Sequence, residues 1–236
     1  HGAVLSFLDL AIKNDSLNHG YIFQGPESIG KKTVAMQLFE RLLSVEQDRL
    51  ASHPDIIVVK RGINPKTKKR REKISIEQIQ QARSRFQHST LSGGWKLMLI
   101  IDAHLMTESA SNALLKTLEE PRGNACIIMT TTHASNLLPT IKSRSQVISF
   151  RPVAREDICD ALKPMIGSRD DAHSIAGYAA GCPGVALNIV NDPEARTRME
   201  ADRDKARACL SSNTSKRILG AKGLMPEYNE DHVVTR

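Results

Sequence analysis

Short runs of consecutive apolar residues alternate with stretches of helical periodicity over roughly the first two thirds of the chain. Tyr21-Ile22-Phe23, Asp55–Lys60 (DIIVVK), Lys96–Ile101 (KLMLII), Ala125–Met129 (ACIIM) and Val147–Phe150 read as five strands. Most are apolar at successive rather than alternate positions, the pattern of a strand covered on both faces. Between them, residues 3–14, 32–43, from 76 on, and 107–119 have helical character. Val4, Leu5, Leu8, Ala11 and Ile12 share one face of the first helix. Ser75 and Gln78 have capping-box spacing at the start of the third, and Pro121 closes the fourth. Strands alternating with helices predict an α/β fold built on a parallel five-stranded sheet, with ligands expected beyond the carboxyl ends of its strands.

After Arg151-Pro152 the pattern changes to helices alone, at 155–165, 170–180 and 184–190. We therefore expect three parts: an α/β domain over 1–151, a small three-helix domain over 152–192, and a charged segment over 193–236 with one helix near 193–210. No internal repeat is present.

The first strand runs into Gly25-Pro26-Glu27-Ser28-Ile29-Gly30-Lys31-Lys32-Thr33 and then a helix. This is the setting of a phosphate-binding loop: two glycines turn backbone N–H groups inward, the helix N-terminus adds positive potential, and Lys31 reaches the outer phosphates. Such loops require Ser or Thr directly after the lysine to hold magnesium. Here Lys32 stands there and Thr33 comes one residue, about 100° of helix, too late. The third strand ends in Asp102, the acid that orders magnesium in such sites. Ala103 follows, where a hydrolysing enzyme needs a glutamate to polarise water. His104 is expected to be a surface histidine. The cysteines (126, 159, 182 and 209) form no C-x-x-C pair, so neither zinc nor a disulfide is expected.

The ten residues Asn112-Ala113-Leu114-Leu115-Lys116-Thr117-Leu118-Glu119-Glu120-Pro121 resemble a signature of the clamp-loader subunits of bacterial DNA polymerase III, the gamma/tau and delta-prime group of AAA+ proteins. The likeness runs from about Ala3 to Val190. It implies a P-loop AAA+ domain followed by a helical lid. It also implies roles for residues the pattern alone leaves silent. Thr131, in Thr130-Thr131-Thr132, falls where the family has a polar sensor of nucleotide. Ser143-Arg144-Ser145 resembles the family's Ser-Arg-Cys motif, with Ser145 for the cysteine; the likeness makes Arg144 an arginine finger that crosses a subunit interface to a neighbour's γ-phosphate. In Gly181-Cys182-Pro183-Gly184, Gly184 stands where active relatives carry an ATP-contacting arginine. The likeness thus implies a degenerate nucleotide site (Gly25, Gly30, Lys31, Lys32, Thr33, Asp102, Thr131), no required cofactor, at most weak binding of ATP with magnesium, and no ATPase turnover of its own. Gamma/tau and delta subunits are the implied partners in a hetero-oligomeric ring, which acts on the sliding clamp and primed DNA as part of a DNA-directed DNA polymerase. Two family parts are not expected here: a four-cysteine zinc module, since residues 41–55 hold no cysteine, and a full helical collar after residue 192.

Charge adds one further candidate. The chain carries a net charge of +7, and residues 60–73 (KRGINPKTKKRREK) carry eight basic side chains against one acid. That one segment accounts for the whole excess. Lys66, Lys68, Lys69, Arg70 and Arg71 are candidate contacts to a phosphate backbone or an acidic partner, without an aromatic residue for base stacking. Two alternatives to a non-hydrolysing subunit follow: an ATP-hydrolysing gamma/tau-like motor, favoured by Gly25, Gly30 and Lys31, and a DNA-binding AAA+ protein acting through 60–73. The chain opens His1-Gly2-Ala3-Val4, without an initiator Met or a signal-peptide pattern, and has no apolar run of membrane-spanning length. A cytoplasmic location is the corresponding expectation.

Overall fold

In the computed structural model the described residues are 1–50, 52–63, 67–88, 90, 94–121 and 123–209. They form two compact units, His1–Val153 and a second that begins at Ala154.

The first unit contains, in order, α1 (Gly2–Lys13), β1 (Gly20–Gln24), α2 (Lys31–Leu43), α3 (Gln47–Leu50), β2 (Ile56–Val59), α4 (Ile76–Gln87), β3 (Lys96–Ile100), α5 (Glu108–Glu119), β4 (Ala125–Thr131), α6 (Pro139–Lys142) and β5 (Gln146–Ser149). The five strands pair in parallel in the order β2-β3-β4-β1-β5. Each strand predicted from an apolar run is present, with ends moved by one or two residues. The short helices α3 and α6 carry no periodic signal of their own and were not expected.

Ile22, Ile57, Val59, Met98, Ile100, Ile127 and Met129 point to one face of the sheet and form a single cluster with Ile79, Ala82 and Phe86 of α4 and Ala110, Leu114 and Leu118 of α5. The alternate residues Tyr21, Phe23, Leu97, Leu99 and Ile128 are fully buried too, as are Leu8 of α1 and Leu38 and Phe39 of α2. Burial on both faces is why the strands read as unbroken apolar runs. Local signals set the helix starts. Gln78 Oε1 accepts the Ser75 N–H at 3.2 Å ahead of α4, and Thr107 Oγ1 accepts the Ala110 N–H at 3.2 Å at the start of α5.

One charged pair lies inside the sheet. Lys96 Nζ donates to Asp55 Oδ1 at 2.9 Å, with side-chain exposures of 8% and 0%. It joins the residue before β2 to the first residue of β3, where Leu97 N–H also donates to the Asp55 carbonyl at 2.9 Å.

The second unit is helical: α7 (Arg155–Ile166), α8 (Arg169–Tyr178), α9 (Pro183–Asn191) and α10 (Pro193–Cys209). Its core is made of small and aliphatic side chains, among them Ile158, Leu162, Ala172, Ile175, Ala176, Ala186 and Ile189. α10 joins this core through Ala195 and Met199. It is further tied by Tyr178 Oη donating to Asp202 Oδ2 at 2.8 Å. The sequence expectation for 210–236 lies outside the described residues.

Removing one partner of a buried ion pair costs about 3–5 kcal/mol. Lys96→Met is therefore expected to lower stability by about that amount, read as a lower urea midpoint with an unchanged slope.

Candidate nucleotide-type site and an exposed arginine

The carboxyl ends of β1, β3, β4 and β5 meet at one edge of the sheet. In the strand register Gln24 lies beside Thr131 on one side and Ser149 on the other. Gly25 N–H donates to the Thr131 carbonyl at 3.2 Å, and Phe150 N–H donates to the Gln24 carbonyl at 2.8 Å. The glycine-bounded loop thus leaves the sheet pinned on both sides. Gly25 has φ +150°, and a Cβ there would lie 2.6 Å from the Phe150 carbonyl oxygen. No other residue fits that approach. Gly30, at φ +108°, precedes α2 and leaves the helix's first N–H groups facing the loop.

Lys31 is buried and its ammonium turns back into the loop. Nζ donates to the carbonyls of Gly25 and Pro26, each at 2.6 Å. Lys32 and Thr33 are both exposed. The position next to Lys31 offers an ammonium where a magnesium site needs a hydroxyl. The loop suits a phosphate through its backbone and Lys31. It does not suit a magnesium ion, because Lys32 brings like charge and no oxygen donor.

Asp102 lies one residue past the end of β3, after Ile101, and adopts a left-handed backbone, φ 56° and ψ 51°. Its N–H donates to Thr130 Oγ1 at 3.1 Å, so β4 sits between the glycine loop and the acid and holds both. Thr131 is fully buried; its hydroxyl donates to the His133 carbonyl at 3.0 Å and meets His104 Nδ1 at 3.2 Å. With the hydroxyl proton committed to His133, Nδ1 of His104 carries the donated hydrogen. This corrects the expectation for His104. It is half-buried rather than a surface residue, because the short turn Ala103–Leu105 after Asp102 folds it against β4. Thr130, to which the sequence reading assigns no role of its own, is the residue that meets Asp102.

Two residues at this edge escaped the sequence reading. Gln24 bridges the strand ends: Nε2 donates to Ser149 Oγ at 2.7 Å, and Oε1 accepts the Ala134 N–H at 3.1 Å. The ring of His1 packs edge-on against Phe150 with centroids 4.8 Å apart, and its Nε2–H donates to the Ile29 carbonyl at 2.6 Å. Neither contact has a local sequence signal, since each joins segments far apart in the chain.

Arg144 lies at the opposite edge of the sheet. It follows α6 and precedes β5. Nη1 donates to the Thr140 carbonyl at 3.1 Å and to Ser143 Oγ at 3.2 Å, and Nη2 is 2.7 Å from Glu119 Oε1. The backbone behind it is held against the start of β1, where a Cβ on Gly20 would lie 3.0 Å from the Arg144 carbonyl oxygen and 2.9 Å from Ser145 Oγ. That Ser145 hydroxyl is enclosed and finds no hydrogen-bond partner among the described residues. A thiol, as in the Ser-Arg-Cys motif, would lose less by burial there.

The basic segment is partly described. Lys66 lies outside the described residues. Lys68, Lys69, Arg70 and Arg71 are exposed, and the segment turns back on itself through an antiparallel bridge between Ile63 and Arg70. Arg71 N–H donates to the Gly62 carbonyl at 2.8 Å. In the second unit Gly184 lies in the first turn of α9, behind Pro183. Among the described residues no three His, Cys, Asp or Glu side chains are grouped to hold a metal, and no helix is long and apolar enough to cross a membrane.

Gly25→Ala forces the loop off Phe150 and is expected to destabilise the protein by about 1–3 kcal/mol. Thermal unfolding of the variant checks this.

Residues 1–154 match the profile of the family described as "DNA polymerase III, delta subunit". Among curated proteins, the chain is 31% identical over 173 residues to the DNA polymerase III subunit delta' of Bacillus subtilis, covering 67% of this chain and 50% of that one. It is 30% identical over 140 residues to the delta' subunit of Pseudomonas aeruginosa, covering 53% of this chain and 41% of that one. The chain thus spans half or less of the length of these relatives. In fold it is similar to a DNA polymerase III gamma subunit-related protein of Thermotoga maritima, with a TM-score of 0.55 at 19% identity, over 92% of this chain and 77% of that one. It is also similar to the RuvB Holliday junction branch migration motor of the same organism, with a TM-score of 0.57 at 14% identity, over 94% and 68%. These likenesses agree with the parallel P-loop fold of the AAA+ type. The chain belongs to the DNA polymerase III delta-subunit family, among the delta-prime-like clamp-loader subunits.

Proposed function

We propose that this chain is a delta-prime-type stator of a DNA polymerase III clamp loader: it supplies Arg144 to ATP bound by a neighbouring subunit and turns over little or no ATP itself. The observation that carries this reading is the separation of Arg144 from its own glycine loop. Arg144 sits where β1 begins, at Gly20, and the loop leaves where β1 ends, at Gln24. Five residues of strand span about 16 Å, too far for an arginine to act on phosphate held by Lys31 of the same chain. An exposed guanidinium fixed at the far edge suits a site on another subunit, where it would neutralise charge as the γ-phosphoryl group departs.

The chain's own loop supports the second half of the reading. Lys32 occupies the magnesium position, Ala103 the position of the water-polarising glutamate, and Gly184 the position of the lid arginine. Lys31 and the loop backbone keep the means to hold phosphate, so nucleotide binding without hydrolysis is compatible with the role. The ring partners in this reading are gamma/tau and delta subunits, and the assembly would use ATP to open the sliding clamp and place it on primed DNA in the cytoplasm. The lid role assigned to 152–192 belongs to the same proposal. The four exposed cations at 68–71 favour a secondary contact with a phosphate backbone or an acidic partner rather than a separate function.

Two measurements test this. The purified protein alone is expected to show ATP turnover far below the ordinary enzyme rate of about 10 s⁻¹; turnover at that rate would replace the stator reading with that of a motor subunit. In an assembly reconstituted with gamma/tau and delta, Arg144→Ala is expected to lower ATPase by about 10³-fold or more, with assembly on gel filtration unchanged. Unchanged ATPase in that assembly removes the role given to Arg144.

A further inference from the structure

The ion pair of Arg144 links two segments that the sequence likeness treats separately. Glu119 is the last residue of α5, and its Oε1 lies 2.7 Å from Arg144 Nη2, with side-chain exposures of 43% and 37%. The other nitrogen, Nη1, is held by the Thr140 carbonyl and Ser143 Oγ. Both ends of the guanidinium are therefore anchored while the group itself stays open to solvent.

Helix stability does not explain an acid at this position. The last turn of a helix exposes unpaired carbonyls and a negative potential, so carboxylates there cost stability. α5 nevertheless ends in Glu119 with Glu120 as its cap. The supporting geometry is rigid. A Cβ on Gly20 would touch Leu118 Cδ2 at 3.0 Å and the Arg144 carbonyl at 3.0 Å, so the end of α5, the Arg144 turn and the start of β1 converge on one glycine. Leu118, adjacent to Glu119, is buried in the core cluster. The carboxylate is thus delivered to the guanidinium by a packed helix end rather than by a loose loop.

We propose that Glu119 is the positioning residue for Arg144: it holds the guanidinium in the one orientation that faces a neighbouring subunit's nucleotide. An arginine side chain free to sample its rotamers must lose that freedom on each encounter with the phosphate. One already held by Glu119, Thr140 and Ser143 has lost most of it. Glu119 touches no substrate, and its effect passes entirely through Arg144. This inference rests on the trans role proposed for Arg144.

The test compares Glu119→Gln, Glu119→Asp, Arg144→Ala and the double variant Glu119→Gln/Arg144→Ala in the full reconstituted assembly. Glu119→Gln is expected to lower kcat for ATP about two- to five-fold, the range of an exposed ion pair, with KM for ATP and the Tm of the isolated chain unchanged. The shorter Glu119→Asp should recover part of that loss. The double variant should match Arg144→Ala alone, because Glu119 has nothing left to position. A silent Glu119→Gln beside a large Arg144→Ala effect would overturn the positioning role and leave the trans arginine standing, as would a double variant that loses further activity. A silent Arg144→Ala would overturn both.

Discussion

Everything functional in the first unit depends on five strands running in the same direction. A parallel sheet collects all its carboxyl ends at one edge and all its amino ends at the other, and it must be covered by helices on both faces. The glycine loop, Asp102, Thr131 and Phe150 therefore gather at one edge although they are scattered from residue 25 to residue 150. Arg144 and the end of α5 fall at the other edge for the same reason. Once β1 lies between β4 and β5, the distance between loop and arginine is set by strand length and no side-chain adjustment removes it.

The contact that secures this arrangement is the passage of Gly25 over the Phe150 carbonyl. It lets the chain leave β1 tightly enough for its N–H to reach the Thr131 carbonyl. Without it the loop would have to swing out, and Lys31 would lose the inward path to the Gly25 and Pro26 carbonyls. At the opposite end Gly20 plays the matching part, admitting Leu118 and the Arg144 turn against the start of the same strand. Two glycines, one at each end of β1, thus seat the cis loop and the outward-facing arginine on a single strand.

The two edges differ in chemical completeness. At the carboxyl edge the loop backbone and Asp102 are in place, but an exposed Lys32 stands where a magnesium-holding hydroxyl is expected and Ala103 has no polar group. At the amino edge the guanidinium is held by a carbonyl, a hydroxyl and a carboxylate. A loop scaffold that lacks the expected hydroxyl and glutamate, together with an exposed arginine held on three sides, supports the proposed action on another subunit's nucleotide.

The sequence by itself determined the strands, the long helices, the class of sheet and the family signature. Unbroken apolar runs, capping residues and the ten-residue string at 112–121 are local, and local patterns survive without coordinates. It also implies that Thr33 is displaced from the expected magnesium position, since one residue of helix is a fixed rotation. Only the tertiary structure decided which distant groups meet. The half-burial of His104 against Thr131, the bridging by Gln24, the packing of His1 on Phe150, the burial of Lys96 with Asp55 and the pairing of Glu119 with Arg144 each join segments whose nearness depends on strand order. Nothing in the spacing of those residues encodes that order; it follows from burying both faces of one sheet at once.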